Sequence, residues 1–286
     1  MSRPVILNGA LLPEGEATVP VSDLGLRRGF AAFEFLRVVG GTPLFLDDHM
    51  ARLVRTRARL GLAGRWSEGD VREAVARLVD ASAMGDGGIQ IVITGGNSSD
   101  AFTPGAPTLI ATPVSLSPPP ASDYAQGVAV ITHRNVREIP EAKTTDYLVA
   151  VTLIPRMAEA GAAEALFHDG ERVLEGARSG LALVTAAGVL VTAAAGVLDS
   201  VTRRNLLPLA RRAMPVEVRD IPLTELSEVA EALLLSTTRG VMPITRIDGR
   251  PVGDGRVGPH ARALRDAYER HVGDHLAAAR AGRTRR

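Results

Sequence analysis

Glu141-Ala-Lys143-Thr-Thr-Asp-Tyr147 contains the only lysine of this 286-residue chain. Lys and Arg together number 33, so the other 32 basic side chains are all arginine. A drift of Lys to Arg wherever a solvated positive charge suffices explains the 32 but not the exception. Arginine stays protonated at any workable pH and cannot act as an amine nucleophile. A lysine amine can lose its proton when desolvated and can form a Schiff base with a carbonyl. Lys143 therefore marks one position where a primary amine, rather than charge, is the requirement. A lysine retained by chance is the alternative, and its neighbours have to decide between the two.

The totals narrow the field. Hydrophobic content of 45% and charged content of 23% are those of a globular protein, and 286 residues suggest two domains. A net charge of +1 gives no reason to expect nucleic acid or an anionic membrane as partner. Aromatic residues at 3% argue against base-stacking platforms. Without cysteine there are no disulfides, thiolate metal sites or cysteine nucleophiles. The six histidines (49, 133, 168, 260, 271 and 275) form no metal-ligand pattern. No apolar run suits a signal peptide or a membrane span, so a cytoplasmic protein is expected.

Along the chain, Val5–Leu12 reads as a strand that turns at Asn8-Gly9. Phe33–Val39 follows as a strand, and Gly40-Gly41 turns the chain into Pro43–Leu46. Asp47 or Asp48 is expected to cap a helix whose apolar positions are Met50, Leu53, Val54 and Leu60. His49 and Arg52 lie three apart on one face of it. Ser67-Glu-Gly-Asp70 opens a second helix, and Gly88–Thr94 and Thr108–Thr112 read as buried strands. Three consecutive prolines, 118–120, favour an extended linker. The expected division is a small α/β domain over 1–114, a linker over 115–122 and a large domain over 123–286.

The second part begins with a strand, Val128–Thr132. An apolar helix is expected from Tyr147 to Ala160, then short strands split by Gly turns between Ala165 and Thr192. Helices are expected at Thr202–Met214, Leu223–Val229 and Pro259–Ala279, and strands at Val216–Arg219, Ala232–Thr238 and Met242–Ile247.

Four positions gain meaning beside Lys143. Glu175 ends a strand among apolar residues, where a carboxylate needs a cationic partner, and any of many arginines could supply it. Val201-Thr202 begins a helix whose first amides form either an ordinary cap or an anion site. Ser236-Thr-Thr238 ends a buried strand and suits a turn or a phosphate. Arg52 has the planar fork that suits phosphate. It could equally belong to a solvated helix face with Arg55, Arg57 and Arg59.

Five segments in order carry a resemblance. They are His49-x-x-Arg-Leu53, Lys143-Thr-Thr-Asp-Tyr147, Leu174-Glu-Gly-Ala-x-Ser179, Leu198-x-x-Val-Thr-Arg203, and Ser236-Thr-Thr before Pro243-Ile244. Together they resemble the class IV, fold-type IV, pyridoxal 5'-phosphate aminotransferases over about residues 5–270. The resemblance implies two α/β domains, the larger with a pseudo-barrel, and the cofactor at their interface. It implies at least a homodimer.

It also implies roles. Lys143 would hold pyridoxal phosphate through its amine and then shuttle the Cα proton. Glu175 would pair with the pyridine nitrogen and keep it protonated. Arg52, the Val201 and Thr202 amides, the Thr202 hydroxyl, and Thr237 with Thr238 would bind the phosphate. Tyr147 would approach the phenolic oxygen, one residue closer to the lysine than in the branched-chain pattern. Two positions depart from the family: Gly180 stands where Asn is usual, and Ser200 where Gly is usual.

Arg178 lies three residues past Glu175, and Arg28 opens a small-domain loop. An arginine fork reads a carboxylate bidentately, so the two together could clamp a substrate carboxylate, with Arg27 as a substitute for Arg28. With Lys-Thr-Thr-Asp-Tyr, the pair resembles D-amino-acid transaminases lacking the usual carboxylate motif. The expected reaction moves the amino group of a D-amino acid to a 2-oxo acid such as 2-oxoglutarate or pyruvate. Alternatives in the family are an L-branched-chain aminotransferase, an aminodeoxychorismate lyase and an (R)-amine transaminase. The last shares the Arg246-Ile-Asp-Gly-Arg-Pro-Val-Gly-Asp-Gly255 pattern. Outside catalysis, the alternative is a dimeric binding protein with a relic cofactor site.

Overall fold

A computed structural model describes residues 3–62 and 64–284. The chain forms two compact units. One takes the chain up to Ser117, the short segment Ala142–Asp146 and the chain from His275 onward; the other takes Pro118–Glu141 and Tyr147–Asp274. The chain thus does not divide into two consecutive blocks.

The first unit contains β1 (Pro4–Leu7), β2 (Ala10–Pro13), α1 (Leu24–Arg28), β3 (Ala31–Val39), β4 (Thr42–Pro43), α2 (Leu46–Arg59), α3 (Glu68–Ala81), β5 (Gly87–Thr94) and β6 (Leu109–Val114). The six strands form an antiparallel sheet in the order β2-β1-β6-β5-β3-β4. Asn8 and Gly9 join β1 to β2 with φ of 51° and 81°, the left-handed pair that a tight hairpin requires. Along β3 the period-two alternation buries Ala32, Glu34, Leu36 and Val38. The apolar members of this set join Met50 and Leu53 of α2 and Val71, Val75 and Leu78 of α3 in one core.

Two expectations for α2 are corrected. Its N-cap is Phe45, in a left-handed conformation without a side-chain cap, and Asp47 and Asp48 lie in the first turn. There their charges face the positive end of the helix instead of capping it. Val54 is exposed, because the buried stripe runs through His49, Met50, Arg52, Leu53, Thr56 and Arg57. After the Gly40-Gly41 turn, β4 stops at Pro43 and the helix takes Leu46. Ser67 and Asp70 form a reciprocal capping box on α3.

The second unit contains α4 (Ala121–Gln126), β7 (Val128–Arg134), α5 (Leu148–Thr152), α6 (Ile154–Glu159), β8 (Ala162–His168), β9 (Arg172–Gly176), β10 (Gly180–Val184), β11 (Leu190–Thr192), α7 (Val201–Ala210), β12 (Val216–Val218), β13 (Ile221–Pro222), β14 (Glu231–Ser236), β15 (Gly240–Ile247), β16 (Arg250–Pro251) and α8 (Pro259–Thr284), which runs on into the first unit. The ten-stranded sheet runs β12-β11-β10-β14-β15-β7-β8-β9-β13, with β16 on β15. It is parallel at β11/β12, β15/β7 and β7/β8. β10 and β14 are buried along their full lengths, and Leu181, Leu183, Leu234, Met242 and Ile244 centre the core.

The single helix expected from Tyr147 to Ala160 is two, divided at Leu153. Pro155 has no N–H to continue the ladder and suits the first turn of a new helix. The expected helix at Leu223–Val229 is a short 3-10 turn over Leu223–Ser227. The strand expected through Thr238 ends at Ser236, and Thr237–Arg239 form the turn into β15.

Candidate active site

Lys143 is fixed by its backbone before its side chain is considered. β4 pairs only with Val38 and Val39, so the first half of that β3 edge is open to another partner. The segment around Lys143 takes it. Thr144 bridges Ala32, Phe33 N–H donates to Lys143 O at 2.9 Å, and Thr145 N–H donates to Ala31 O at 3.2 Å. On the other side, Lys143 N–H donates to Thr56 Oγ1 of α2 at 3.1 Å. Lys143 is 9% exposed, and its Nζ lies 4.2 Å from the centre of the Phe33 ring. A desolvated ammonium held over a ring face is attracted by the ring quadrupole.

Behind this lies a buried charged cluster. Arg52 Nε donates to Glu34 Oε1 at 2.7 Å and Arg52 Nη2 to Glu34 Oε2 at 2.8 Å. His49 Nδ1 lies 2.8 Å from Glu34 Oε2 and must donate, because an ionised carboxylate only accepts. Burial alone pushes the Glu34 carboxyl up. The Arg52 charge and the hydrogen bonds from Arg52 and His49 reverse this and lower it to about 2 from 4.5. Burial pushes the His49 pKa below 6.5; Glu34 opposes the shift, and the Arg52 and Lys143 charges add to it. His49 is therefore neutral, with a lone pair on Nε2. That atom is buried and has no hydrogen-bond partner among the described residues.

In the second unit, Glu175 ends β9 and is buried. Its Oε1 accepts from Arg137 Nε at 2.9 Å and Nη2 at 2.7 Å, and its Oε2 accepts from Leu198 N–H at 3.1 Å. The cationic partner demanded by burial is thus Arg137, which also donates to Pro140 O. α7 begins at Val201, one residue before the expected start, with Ser200 accepting from Arg203 N–H. Val201 and Thr202 are buried, and their amides have no acceptor among the described residues. Ser236 Oγ, at the end of β14, is also buried without a partner among the described residues. Thr237 is half-buried and Thr238 exposed in the turn that follows.

The remaining sequence candidates fall as follows. Tyr147 is half-buried at the start of α5, packed with Ile131, Leu153 and Phe167. Arg28 is exposed at the end of α1, stacked 4.6 Å from the centre of the Phe102 ring and donating to Ala101 O. Asp23 anchors this helix: it caps Gly25 N–H and accepts from the buried Thr94 and Thr108 hydroxyls. Arg178 is exposed, and its Nη2 donates to Ala163 O at 3.3 Å. Glu164 fixes its backbone by accepting from Arg178 N–H, the Ser179 hydroxyl and Arg239. Gly180 and Ser200 are neighbours, since a Cβ on Gly180 would lie 3.3 Å from Ser200 Cβ.

Four of these groups, Glu34, Thr56, Arg137 and Glu164, were not singled out from the sequence. Glu34 had a readable signal, as the one acid at an inward position of an alternating strand. Thr56 follows Arg52 by one helical turn. Arg137 has no signal in a chain with 32 arginines.

The family described as "Amino-transferase class IV" matches residues 31–247. The chain is a class IV aminotransferase. It is 30% identical to a D-alanine aminotransferase of Staphylococcus epidermidis, over 95% of this chain and 98% of the relative. Its structure is similar to that of a 4-amino-4-deoxychorismate lyase of Pseudomonas aeruginosa, with TM-score 0.80, 28% identity and coverage of 92% of this chain and 97% of that one. A branched-chain aminotransferase of Thermoproteus uzoniensis, solved with norvaline, superposes with TM-score 0.85 over 95% of each chain, at 26% identity. The fold these proteins share with this chain is fold type IV.

Class IV aminotransferases depend on pyridoxal phosphate, and the residues present fit it. An aldehyde needs an amine, and the chain has one lysine, buried. A phosphate needs donors, and the second unit has the bare amides at the start of α7. The unpartnered His49 Nε2 and Ser236 Oγ are buried polar atoms that call for a bound partner.

Proposed function

We propose that this class IV aminotransferase transfers the amino group of a D-amino acid to a 2-oxo acid such as 2-oxoglutarate or pyruvate. The observation that carries the chemistry is the single buried lysine, fixed through both its N–H and its C=O. The D preference is supported by likeness to relatives named D-alanine aminotransferase, 28–30% identical over nearly the whole chain.

When bound, pyridoxal phosphate supplies the aldehyde that takes up the amino group and the ring that accepts the electron pair left at Cα. Lys143 holds the cofactor, and its amine, once released, takes the Cα proton and returns it. Phe33 shields that amine from water. Glu175, held in place by Arg137 and the Leu198 N–H, pairs with the ring nitrogen and holds its proton. Arg52, the Val201 and Thr202 amides, the Thr202 hydroxyl, and Thr237 with Thr238 bind the phosphate. Tyr147 orients the phenolic oxygen. Arg28, on Phe102, and Arg178 hold the substrate carboxylate.

A cytoplasmic homodimer is part of the same reading. Its support is an exposed apolar row, Leu148, Val151 and Ile154, at 71%, 59% and 54% exposure.

The test is single-turnover conversion of the bound cofactor to its amine form with matched D- and L-amino acids. Faster conversion by D-amino acids is expected, and faster conversion by L-amino acids overturns the reading. The 28% identity to a lyase makes 4-amino-4-deoxychorismate the substrate to include: its conversion with no transamination favours that second activity. Lys143→Ala should abolish turnover with every substrate.

A further inference from the structure

We propose that Thr56 is a positioning residue of the transamination reaction, setting the backbone from which the Lys143 amine is presented. The inference rests on the reading of Lys143 as the cofactor-bearing amine.

Thr56 is buried, and its hydroxyl oxygen accepts the Lys143 N–H at 3.1 Å. A threonine in a helix more often turns its hydroxyl back onto its own helix. The Lys143 carbonyl is taken separately by Phe33 N–H at 2.9 Å. One residue is thus held from two sides by two elements, α2 at its N–H and β3 at its C=O. That fixes the direction of its Cα–Cβ bond and leaves only side-chain torsions to place the amine. Restricting the geometry in this way is worth more to a reacting group than an equal number of contacts elsewhere.

The position on the helix adds to the argument. Thr56 lies four residues after Arg52 and seven after His49, on one face of α2. Glu34 anchors Arg52 and His49. The face that carries the proposed phosphate ligand therefore also holds the lysine backbone, on a helix fixed by an ion pair. Thr56 is β-branched, so its χ1 is stiff in a helix and its hydroxyl stays where the helix puts it.

The experiment uses the full chain freed of cofactor, in wild-type form and as Thr56→Val, Thr56→Ser and Lys143→Arg. Capture of pyridoxal phosphate joins the Lys143 nitrogen to the aldehyde carbon by a double bond, with loss of one water. Borohydride trapping and mass measurement read its rate. Loss of one hydrogen bond predicts a slowing of about tenfold in Thr56→Val and under about twofold in Thr56→Ser. Pyridoxamine 5'-phosphate has the ring and phosphate but no aldehyde. Its affinity should stay within about twofold in both, because one buried acceptor is lost and no phosphate ligand is. Capture at the wild-type rate in Thr56→Val overturns the proposal. So does a parallel fall in capture and pyridoxamine phosphate affinity, which is the mark of a merely structural role.

A second readout follows from the composition. Protein labelled with [15N]lysine gives a single backbone amide signal, that of Lys143. Its hydrogen exchange should quicken by about tenfold in Thr56→Val and not in Thr56→Ser. Unchanged exchange in Thr56→Val also overturns the proposal. Undiminished aldehyde capture by Lys143→Arg is a distinct result, which sinks the reading of Lys143 itself.

Discussion

Arg52 grips Glu34 with two parallel hydrogen bonds, of 2.7 and 2.8 Å, in a part of the core where the carboxylate has no solvent exposure. The arginine is not one of a row of solvated helix charges. Removing one partner of such a pair leaves the other charge buried and alone, at a cost of about 3–5 kcal/mol. Glu34→Gln should lose about that much stability in denaturant unfolding. Adding Arg52→Met to it should cost less than the sum of the two single changes.

Acid should weaken the fold in two stages. His49 is pushed below 6.5 in the folded state, so the unfolded chain binds the proton more readily and the stability this gives is lost as pH falls through and below 6.5. Glu34 is lowered to about 2 from 4.5. Its contribution is complete above 4.5 and is lost as pH falls towards 2. Thermal unfolding followed from pH 8 to 3 should show a melting temperature that falls below pH 6.5 and faster below 4.5. In His49→Gln the first of these steps should shrink to what His133 contributes, whose imidazole burial and the Arg156 charge also hold below 6.5.

Arg28 and Arg178 are proposed to read a carboxylate, and both are exposed. A charged hydrogen bond contributes about 1.5–3 kcal/mol, so Arg28→Ala and Arg178→Ala should each lower kcat/KM for D-amino acids about ten- to a hundredfold. Amine donors without a carboxylate should be nearly unaffected. Equal losses on both substrate types would assign these arginines to structure instead.

Gly180 and Ser200, the positions where the resemblance implies Asn and Gly, meet each other. The bulk absent at one position stands at the other. Gly180→Asn alone should overpack the contact and cost about 1–3 kcal/mol. Ser200→Gly in the same chain should recover more than half of that, and a double-mutant cycle measures it.

Much of this arrangement was legible beforehand, where a local rule and the tertiary structure agreed. The Asn8-Gly9 hairpin, the helix opening at Ser67 and the cationic partner required by Glu175 are of that kind. The misses arose where packing overrode the local signal. Val54 fits the helical spacing but sits one position round from the buried stripe. Asp47 and Asp48 have cap chemistry, yet the chain enters α2 through a left-handed Phe45. Arg137 and Thr56 act through partners 38 and 87 residues away, and one residue read in its own neighbourhood gives no hint of such pairs.

The excursion of Ala142–Asp146 into the first unit bears on how this gene can be cut. A fragment ending at Ser117 would lack the strip that pairs with Ala31, Ala32 and Phe33. It would expose a naked sheet margin and should aggregate or swap with its copies. A piece ending at Ser117 should therefore stay in solution only when made together with the piece that carries Ala142–Asp146, whereas one extending past Asp146 brings its own strip.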